Sequence, residues 1–455
     1  MENEVKKNNS ELIEEEGVKR TEKLQMEAVR QHSSYAGKIQ IMSKCAIHSL
    51  DDFAVYYTPG VAGPCKIIEK EKEKAYELTN KWNTVAVISD GTRVLGLGDI
   101  GPEAGLPVME GKALLFKYLG GVDAIPICLD TKKAEEIIQA VKWLQPSFGG
   151  INLEDIANPK CFQILDTLRE EMEIPVWHDD QQGTAAVTLT GLTNALKIVG
   201  KKLEDARIAF IGAGAANVAI SRVLFSAGVK PRNCIVADSK GILHPGRKDI
   251  EERKDEYRDK WRLCRITNPE GITGGIDIAL KDVDVCLALS KPGPGVIKPD
   301  WINTMNEAAI VFACANPIPE IWPQEAKEAG AKIVATGRSD FANQVNNSIG
   351  FPGIFRGALD VRAKTITDEM CIAAANALAL FAQKRGINED YIIPTMEESE
   401  AFVEEAVAVG LQAQKDGVAR LNISSKELYH KAESIISNAQ KSTSLLMKEK
   451  LIPSY

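Results

Sequence analysis

From Thr84 onward the chain alternates short apolar runs with longer amphipathic stretches, and this rhythm sets the class of fold. The runs at 84–89, 122–128, 148–153 and 175–178 are short, rich in Val, Ile and Leu, and separated by helical lengths of chain. Apolar strands joined through helices belong to parallel sheets covered on both faces. Between them, helices are predicted over 106–119, 132–144 and 159–171. In the second of these Ala134, Ile137, Ile138, Val141 and Leu144 recur at helical spacing. A long helix over 184–199 then leads into a second series of strands at 207–211, 234–238, 283–289, 309–313 and 332–335. The stretch 249–262, dense in both charge signs, reads as a solvated helix or insertion. Beyond Phe351-Pro-Gly the chain turns helical, notably over 368–384 and 399–414.

The expected fold is therefore α/β with two domains and a helical tail. A substrate and metal domain with a parallel sheet is placed at 1–178 and a Rossmann-like, doubly wound dinucleotide domain at 179–346. A helical segment, 347–455, is expected to pack back on the first domain. Residues 1–30, polar, acidic and helix-permissive, form a frayed arm or a contact with a second subunit, and structure proper is expected to begin near Gly37. With 455 residues there is ample material for two cores.

Bulk properties exclude several function classes. The apolar (44%) and charged (26%) fractions are those of a soluble globular chain. A net charge of −8 gives no general attraction to nucleic acid or to an anionic membrane. No apolar run approaches the ~20 residues that span a bilayer, and Met1-Glu-Asn-Glu-Val-Lys-Lys lacks the apolar core of a secretion signal. Nine cysteines lie scattered without a C-x-x-C pair, which reads as reduced core thiols in a cytoplasmic protein.

The second series opens with Phe210-Ile-Gly-Ala-Gly-Ala-Ala-Asn217. A glycine pair between a strand and a helix lets the backbone approach a pyrophosphate, which the free N–H groups of the helix N-terminus attract. Gly212, Gly214, Ala215, Ala216, Asn217 and Ser290 are the expected cofactor contacts. Asp238, ending the next strand, is placed to accept from the adenine ribose hydroxyls and to repel a 2′-phosphate. That favours NAD, with NADP left open by Lys240 two residues on. The third fingerprint position is Asn217 instead of Gly or Ala, so helix–strand packing there must be looser or differently arranged.

Two acid pairs, Glu154-Asp155 and Asp179-Asp180, each follow a predicted strand, where parallel sheets place ligands. Adjacent carboxylates repel unless a cation, proton or basic group compensates. Oxygen donors without a Cys/His cluster suit Mg²⁺ or Mn²⁺. Helix capping explains one acid in each pair, but hardly all four. His178 beside them is either a ligand or a hydrogen-bonded structural residue, the second weighing more. Upstream, Tyr57 sits in Tyr-Thr-Pro-Gly-Val-Ala, Arg93 in a glycine-rich loop, and Lys112 in a largely apolar helix. Desolvation there lowers a lysine pKa toward neutrality and makes it a base; the equal alternative is a lysine snorkelling to water.

Taken together these motifs, with Leu153-Glu-Asp-Ile-Ala, His178-Asp-Asp-Gln-Gln-Gly-Thr-Ala and Asn346-Asn-Ser-Ile-Gly-Phe-Pro-Gly, resemble those of the malic enzymes, specifically the short bacterial type, from about Gly37 to Arg420. Trp177 stands where the family usually has Phe, and Gln182 where bacterial relatives often carry His. The resemblance implies oxidative decarboxylation of L-malate to pyruvate and CO2 with reduction of NAD(P). Glu154, Asp155 and Asp180 would bind the metal, Lys112 would be the base, Tyr57 the acid, and Asp179 would orient a catalytic group. Arg93, Asn316 and Asn347 would hold substrate. A homodimer or higher oligomer is implied, with the N-terminal segment contributing across the interface. The alternative is malolactic conversion of malate to lactate with bound NAD.

Overall fold

The chain is seen in a computed structural model that describes residues 2–453. It opens with helix α1, Glu2–Tyr35. Residues 36–75 follow with short helices at Asp52–Tyr56 and Ala62–Lys70 and lie mostly at the surface. The first sheet holds β1 (Thr84–Ser89), β2 (Asp123–Cys128), β3 (Gly150–Leu153) and β4 (Val176–His178), all parallel, in the order β2-β1-β3-β4. Its crossovers are α2 (Pro102–Gly120), α3 (Ala134–Leu144) and α4 (Lys160–Glu171).

Successive side chains of a strand face opposite ways, and β1 shows this directly. Val85 and Val87 meet Met109, Ala113 and Phe116 of α2. Ala86 and Ile88 meet Ile137 and Val141 of α3 and Ile164 and Leu168 of α4. Both faces of the sheet are covered, as the unbroken apolar runs required.

After β4 the chain makes one π-helical turn, Asp179–Gly183, and enters α5, Thr184–Ile198. The second sheet follows, with β5 (Ile208–Ile211), then helix α6 (Ala215–Ser226), β6 (Cys234–Asp238), β7 (Gly241–Ile242), β8 (Val285–Ala288), β9 (Ile310–Ala313) and β10 (Ile333–Thr336). Their order is β10-β9-β8-β5-β6-β7, parallel except for the edge pair β6–β7. The order reverses beside β5, the switch point at which doubly wound sheets bind nucleotides. The charged stretch resolves into two short helices, Lys248–Glu251 and Arg258–Ile266.

Four helices complete the chain: α7 (Phe351–Asp360), α8 (Asp368–Arg385), α9 (Ser399–Lys415) and α10 (Ser425–Lys448). Phe351 and Phe355 of α7 stack on Phe116 at 4.5 and 5.1 Å between ring centres, so α7 seals the first sheet. Helix α8 lies on α5 instead, where Asn194 donates to the carbonyls of Ala379 and Ile392. The tail thus bridges both sheets. Among the described residues no helix is long and apolar enough to cross a membrane. Cys161, Cys234, Cys264, Cys286 and Cys371 are buried free thiols, but Cys45 and Cys65 are exposed, which corrects their placement in a core.

Candidate active site

The carboxyl ends of β3 and β4 bring the two acid pairs together. Glu154 leaves β3 buried, its Oε2 accepting from Asn152 Nδ2 at 2.9 Å. Asp155 takes a left-handed backbone (φ 55°), tolerable for Asp but costly by about 1 kcal/mol. That turn lets its N–H donate to Asp180 Oδ2 at 2.9 Å, while its carbonyl accepts from Arg93 N at 3.0 Å. Asp179, with no exposed surface, accepts from Trp177 Nε1 at 3.0 Å. Gly183 closes the π turn so tightly that a Cβ there would lie 2.0 Å from Asp179 Oδ1. Only glycine leaves room for that carboxylate.

Lys112 enters this cluster from α2. Its Nζ lies 2.5 Å from Asp179 Oδ2 and 3.0 Å from Glu154 Oε1, above the Phe351 ring at 4.3 Å. Burial alone would lower its pKa, but Asp179 and Glu154 outweigh burial and hold it above the usual lysine range. This reverses the depressed lysine expected from the sequence, because an apolar helix face was visible there and its two carboxylate partners were not. The lysine does not snorkel either; it points inward.

Burial pushes Glu154 well above the carboxylate range, against the pull of Lys112. Asp155 is pushed up to about 8 by burial and then by Asp180. Asp179 is raised by burial against Lys112. One lysine therefore faces more buried negative charge than it neutralises, and Asp155 Oδ2 is buried with no partner. Among the described residues no three acidic, His or Cys side chains already form a metal cage. Charge deficit, oxygen donors and an orphaned carboxylate oxygen nevertheless fit a hard divalent cation. His178 is wholly buried with neither ring nitrogen hydrogen-bonded, and burial lowers its pKa. Its backbone N–H donates to Gln182 Oε1 at 3.0 Å, so Gln182 closes the turn.

Asn347 begins the turn before α7, and its Cβ would stand 3.2 Å from a Cβ at Gly183, close to Asp179. Asn316 follows β9; a Cβ at Gly96 in the Arg93 loop would meet its carbonyl at 2.9 Å. Arg93 is exposed, its Nη1 donating to Leu95 O at 3.0 Å. Tyr57 is 71% exposed on the N-terminal segment. Lys112, Glu154 and Asp179 are brought together, with Asp155 tied to Asp180 beside them.

Across the cleft, Gly212 adopts φ 105°, and a Cβ there would meet Leu289 O at 2.6 Å and Ser290 Cα at 3.2 Å. Ser290 is thereby set beside the glycine turn. Gly214 caps α6, whose first residues are Ala215 and Ala216. Asn217 is 1% exposed, and its Nδ2 donates to Ile211 O (3.0 Å) and Gly212 O (2.9 Å). The missing small residue is thus replaced by an amide that stitches helix to strand. Its side-chain amide is turned toward the strand carbonyls. Asp238 is already bound on both oxygens by Arg247 (3.1 and 3.0 Å), with Lys260 Nζ and Lys240 N at 3.0 and 2.9 Å.

Sequence reasoning missed Asn152 and Glu320, and it took Phe351 only as part of a motif. Glu320 accepts from Ser290 N (2.8 Å) and Ala315 N (3.0 Å), tying the ends of β8 and β9 together. Only Asn152 carried a signal, as a polar residue inside a wholly apolar run.

Fold and site define a two-domain dinucleotide enzyme with a lysine–carboxylate centre set against its cofactor cleft. Residues 36–136 and 131–169 match the family profile "Malic enzyme, N-terminal domain", and 181–414 match "Malic enzyme, NAD binding domain". The chain belongs to the malic enzyme family. It is 51% identical over 386 residues to the NAD-dependent malic enzyme of Geobacillus stearothermophilus, covering 84% of this chain and 78% of that one. It is 46% identical to the bifunctional malic/malolactic enzyme of Bacillus subtilis, covering 90% and 98%. A crystal structure of Entamoeba histolytica malic enzyme superposes with a TM-score of 0.94 at 52% identity, covering 96% and 91%.

Proposed function

We propose that this protein oxidatively decarboxylates L-malate to pyruvate and CO2 while reducing NAD(P), and that it works in the cytoplasm. The observation that carries the reading is the buried Lys112–Asp179–Glu154 cluster, formed where the first sheet meets the cofactor-binding half. NAD(P) in the Gly212–Gly214 cleft would accept hydride. A divalent cation held by Glu154, Asp155 and Asp180 would supply Lewis-acid stabilisation of negative charge on the substrate C2 oxygen.

The chain's own groups handle the protons. Lys112 Nζ, charged between its two carboxylates, first passes a proton to Asp179, whose protonated form burial favours, and the resulting amine takes the C2 hydroxyl proton. Trp177 and Gly183 hold Asp179 in register. Arg93, Asn316 and Asn347 orient the substrate carboxylates.

Tyr57 supplies the later C3 proton from a second subunit. The exposure of Ile41 (91%), Leu50 (83%) and Val55 (67%) supports the reading that a partner protomer covers the Tyr57 segment. Mixing Tyr57→Phe and Lys112→Met chains tests this: hybrid dimers should regain activity that neither variant has, and no recovery would place the tyrosine in its own protomer.

The whole reading is tested by malate-dependent formation of reduced dinucleotide with and without EDTA, together with product analysis. Pyruvate with reduced cofactor, abolished by EDTA, is expected. Lactate without reduced cofactor would establish the malolactic alternative, which the Bacillus subtilis relative keeps in view. EDTA-resistant turnover would refute the metal.

A further inference from the structure

Helix α1 precedes the residues matched to the family, which begin at 36. Its Gly17, Arg20 and Thr21 share one helix face, being three and four residues apart, and that face docks beside the second sheet. A Cβ at Gly17 would lie 2.6 Å from Trp322 Cη2, so the helix rests directly on the indole and glycine permits the approach. The Thr21 hydroxyl donates to Gly17 O (2.8 Å) and accepts from Arg338 Nη1 (3.0 Å). Arg20 Nε stands 3.4 Å from Asp340 Oδ2.

Arg338 is the hub of this contact. Its side chain is 9% exposed, and its guanidinium lies 5.9 Å from the Trp322 ring centre and 5.5 Å from that of Phe341. Nε and Nη2 donate to the two oxygens of Asp340 (2.9 and 2.8 Å). Nη1 donates to Pro317 O at 2.9 Å as well as to Thr21. Pro317 directly follows Asn316. The residue before Arg338, Gly337, lies against the Asn316 amide, since a Cβ there would meet Asn316 Nδ2 at 2.9 Å and Oδ1 at 3.2 Å. Gly337 O in turn accepts from Asn346 Nδ2 at 2.9 Å. Arg338 therefore fixes the Asn316 amide twice, through the chain that carries it and through the backbone on which it lies.

We propose that Arg338 is a positioning residue for malate recognition, and that α1, through Gly17, Arg20 and Thr21, is the strap that holds Arg338 in place. The proposal rests on the reading of Asn316 as a substrate ligand and extends it to a helix that precedes the family-matched residues. A substrate-orienting amide works only when its own support is rigid. A guanidinium gripped at two points by Asp340 and flanked by aromatic rings supplies that rigidity, which an ammonium in its place would not.

Steady-state kinetics of the full-length protein, with malate varied at saturating dinucleotide, test this beside dinucleotide affinity measured by fluorescence titration. Thr21→Val removes the hydroxyl at nearly constant shape and should raise the malate KM about threefold. Gly17→Leu lifts the helix from Trp322, and Arg338→Lys keeps the charge but loses the fork; each should raise the malate KM about tenfold. Dinucleotide affinity should be unchanged in all three. Thr21→Ser, which keeps the hydroxyl, should return the parental KM. An unchanged malate KM in Gly17→Leu and Thr21→Val, whose substitutions lie on a surface helix, would overturn the proposal. A rise matched by an equal loss of dinucleotide affinity would overturn it too, as the mark of a generally loosened cofactor half. So would Thr21→Ser behaving like Thr21→Val. Absence of malate-dependent dinucleotide reduction by the parent protein would refute the underlying reading, and the proposal with it.

Discussion

Asn217 offers the sharpest test of how the cofactor turn is held. Its side-chain amide donates to Ile211 O and Gly212 O at 3.0 and 2.9 Å, with Leu287 O a weaker third partner at 3.4 Å. Two good buried hydrogen bonds are worth about 1–3 kcal/mol together. Asn217→Ala should therefore destabilise by about 2 kcal/mol, partly offset because Asn217 Oδ1 is already buried without a partner. Asn217→Asp is the harsher change, since it aims a carboxylate at carbonyl oxygens in a site 1% exposed. It should cost about 3 kcal/mol or more and ease at low pH, where the folded state gains the proton. Asn217→Gly restores the fingerprint but loses both hydrogen bonds, so it should be less stable than the parent and no more stable than the alanine variant. Urea unfolding of the four proteins measures the series: midpoints should fall in the order Asn, Ala, Asp with similar slopes. Dinucleotide affinity should fall in parallel as the turn loosens. A glycine variant as stable as the parent would show that the amide does not hold the turn.

Three further changes address the site. Gly183→Ala drives a methyl into Asp179 Oδ1. Displacing that group by about 1 Å should cost on the order of a hundredfold in kcat, and an unaffected kcat would remove Asp179 from the mechanism. Lys112→Met leaves buried carboxylates without their cation, so turnover should nearly vanish and stability drop by about 3–5 kcal/mol, with dinucleotide binding little altered; near-parental turnover would sink the lysine's role. Glu320 is pushed up to about 7 by burial, so the folded state binds a proton that the unfolded chain has lost. Stability therefore falls by about 3 kcal/mol as pH rises from about 4.5, where the unfolded side chain ionises, to about 7, where the folded one does. Glu320→Gln should flatten that part of the stability–pH curve while loosening the Ser290–Ala315 tie, and an unchanged slope would reject the assignment.

The strands were legible because period and composition are local properties. Thr84–Ser89 and Cys234–Asp238 have the bounds that their β-rich runs suggest, and the other expected strands have ends that moved by no more than two residues. The acid pairs and the glycine turn were legible for a similar reason, since carboxylates after apolar strands and glycines before a helix have few other uses. What the sequence could not show was who meets whom. The stretch 249–262 read as solvated charge, yet it supplies part of the lock on Asp238.

By itself, the sequence determined the parallel strands of both sheets, their order along the chain and the residue types at each strand end, because hydrophobic period and turn chemistry act over a few residues; the antiparallel edge strand Gly241–Ile242 was not among them. Only the tertiary structure decided the charge states and partners. It buried Lys112 against Asp179 and Glu154 and so raised a pKa that its helix alone would lower. It spent Asp238 on Arg247 and Lys260, and it left Tyr57 exposed on the N-terminal segment. Electrostatic energy depends on distance and burial, and for groups far apart in sequence both are set when the chain folds.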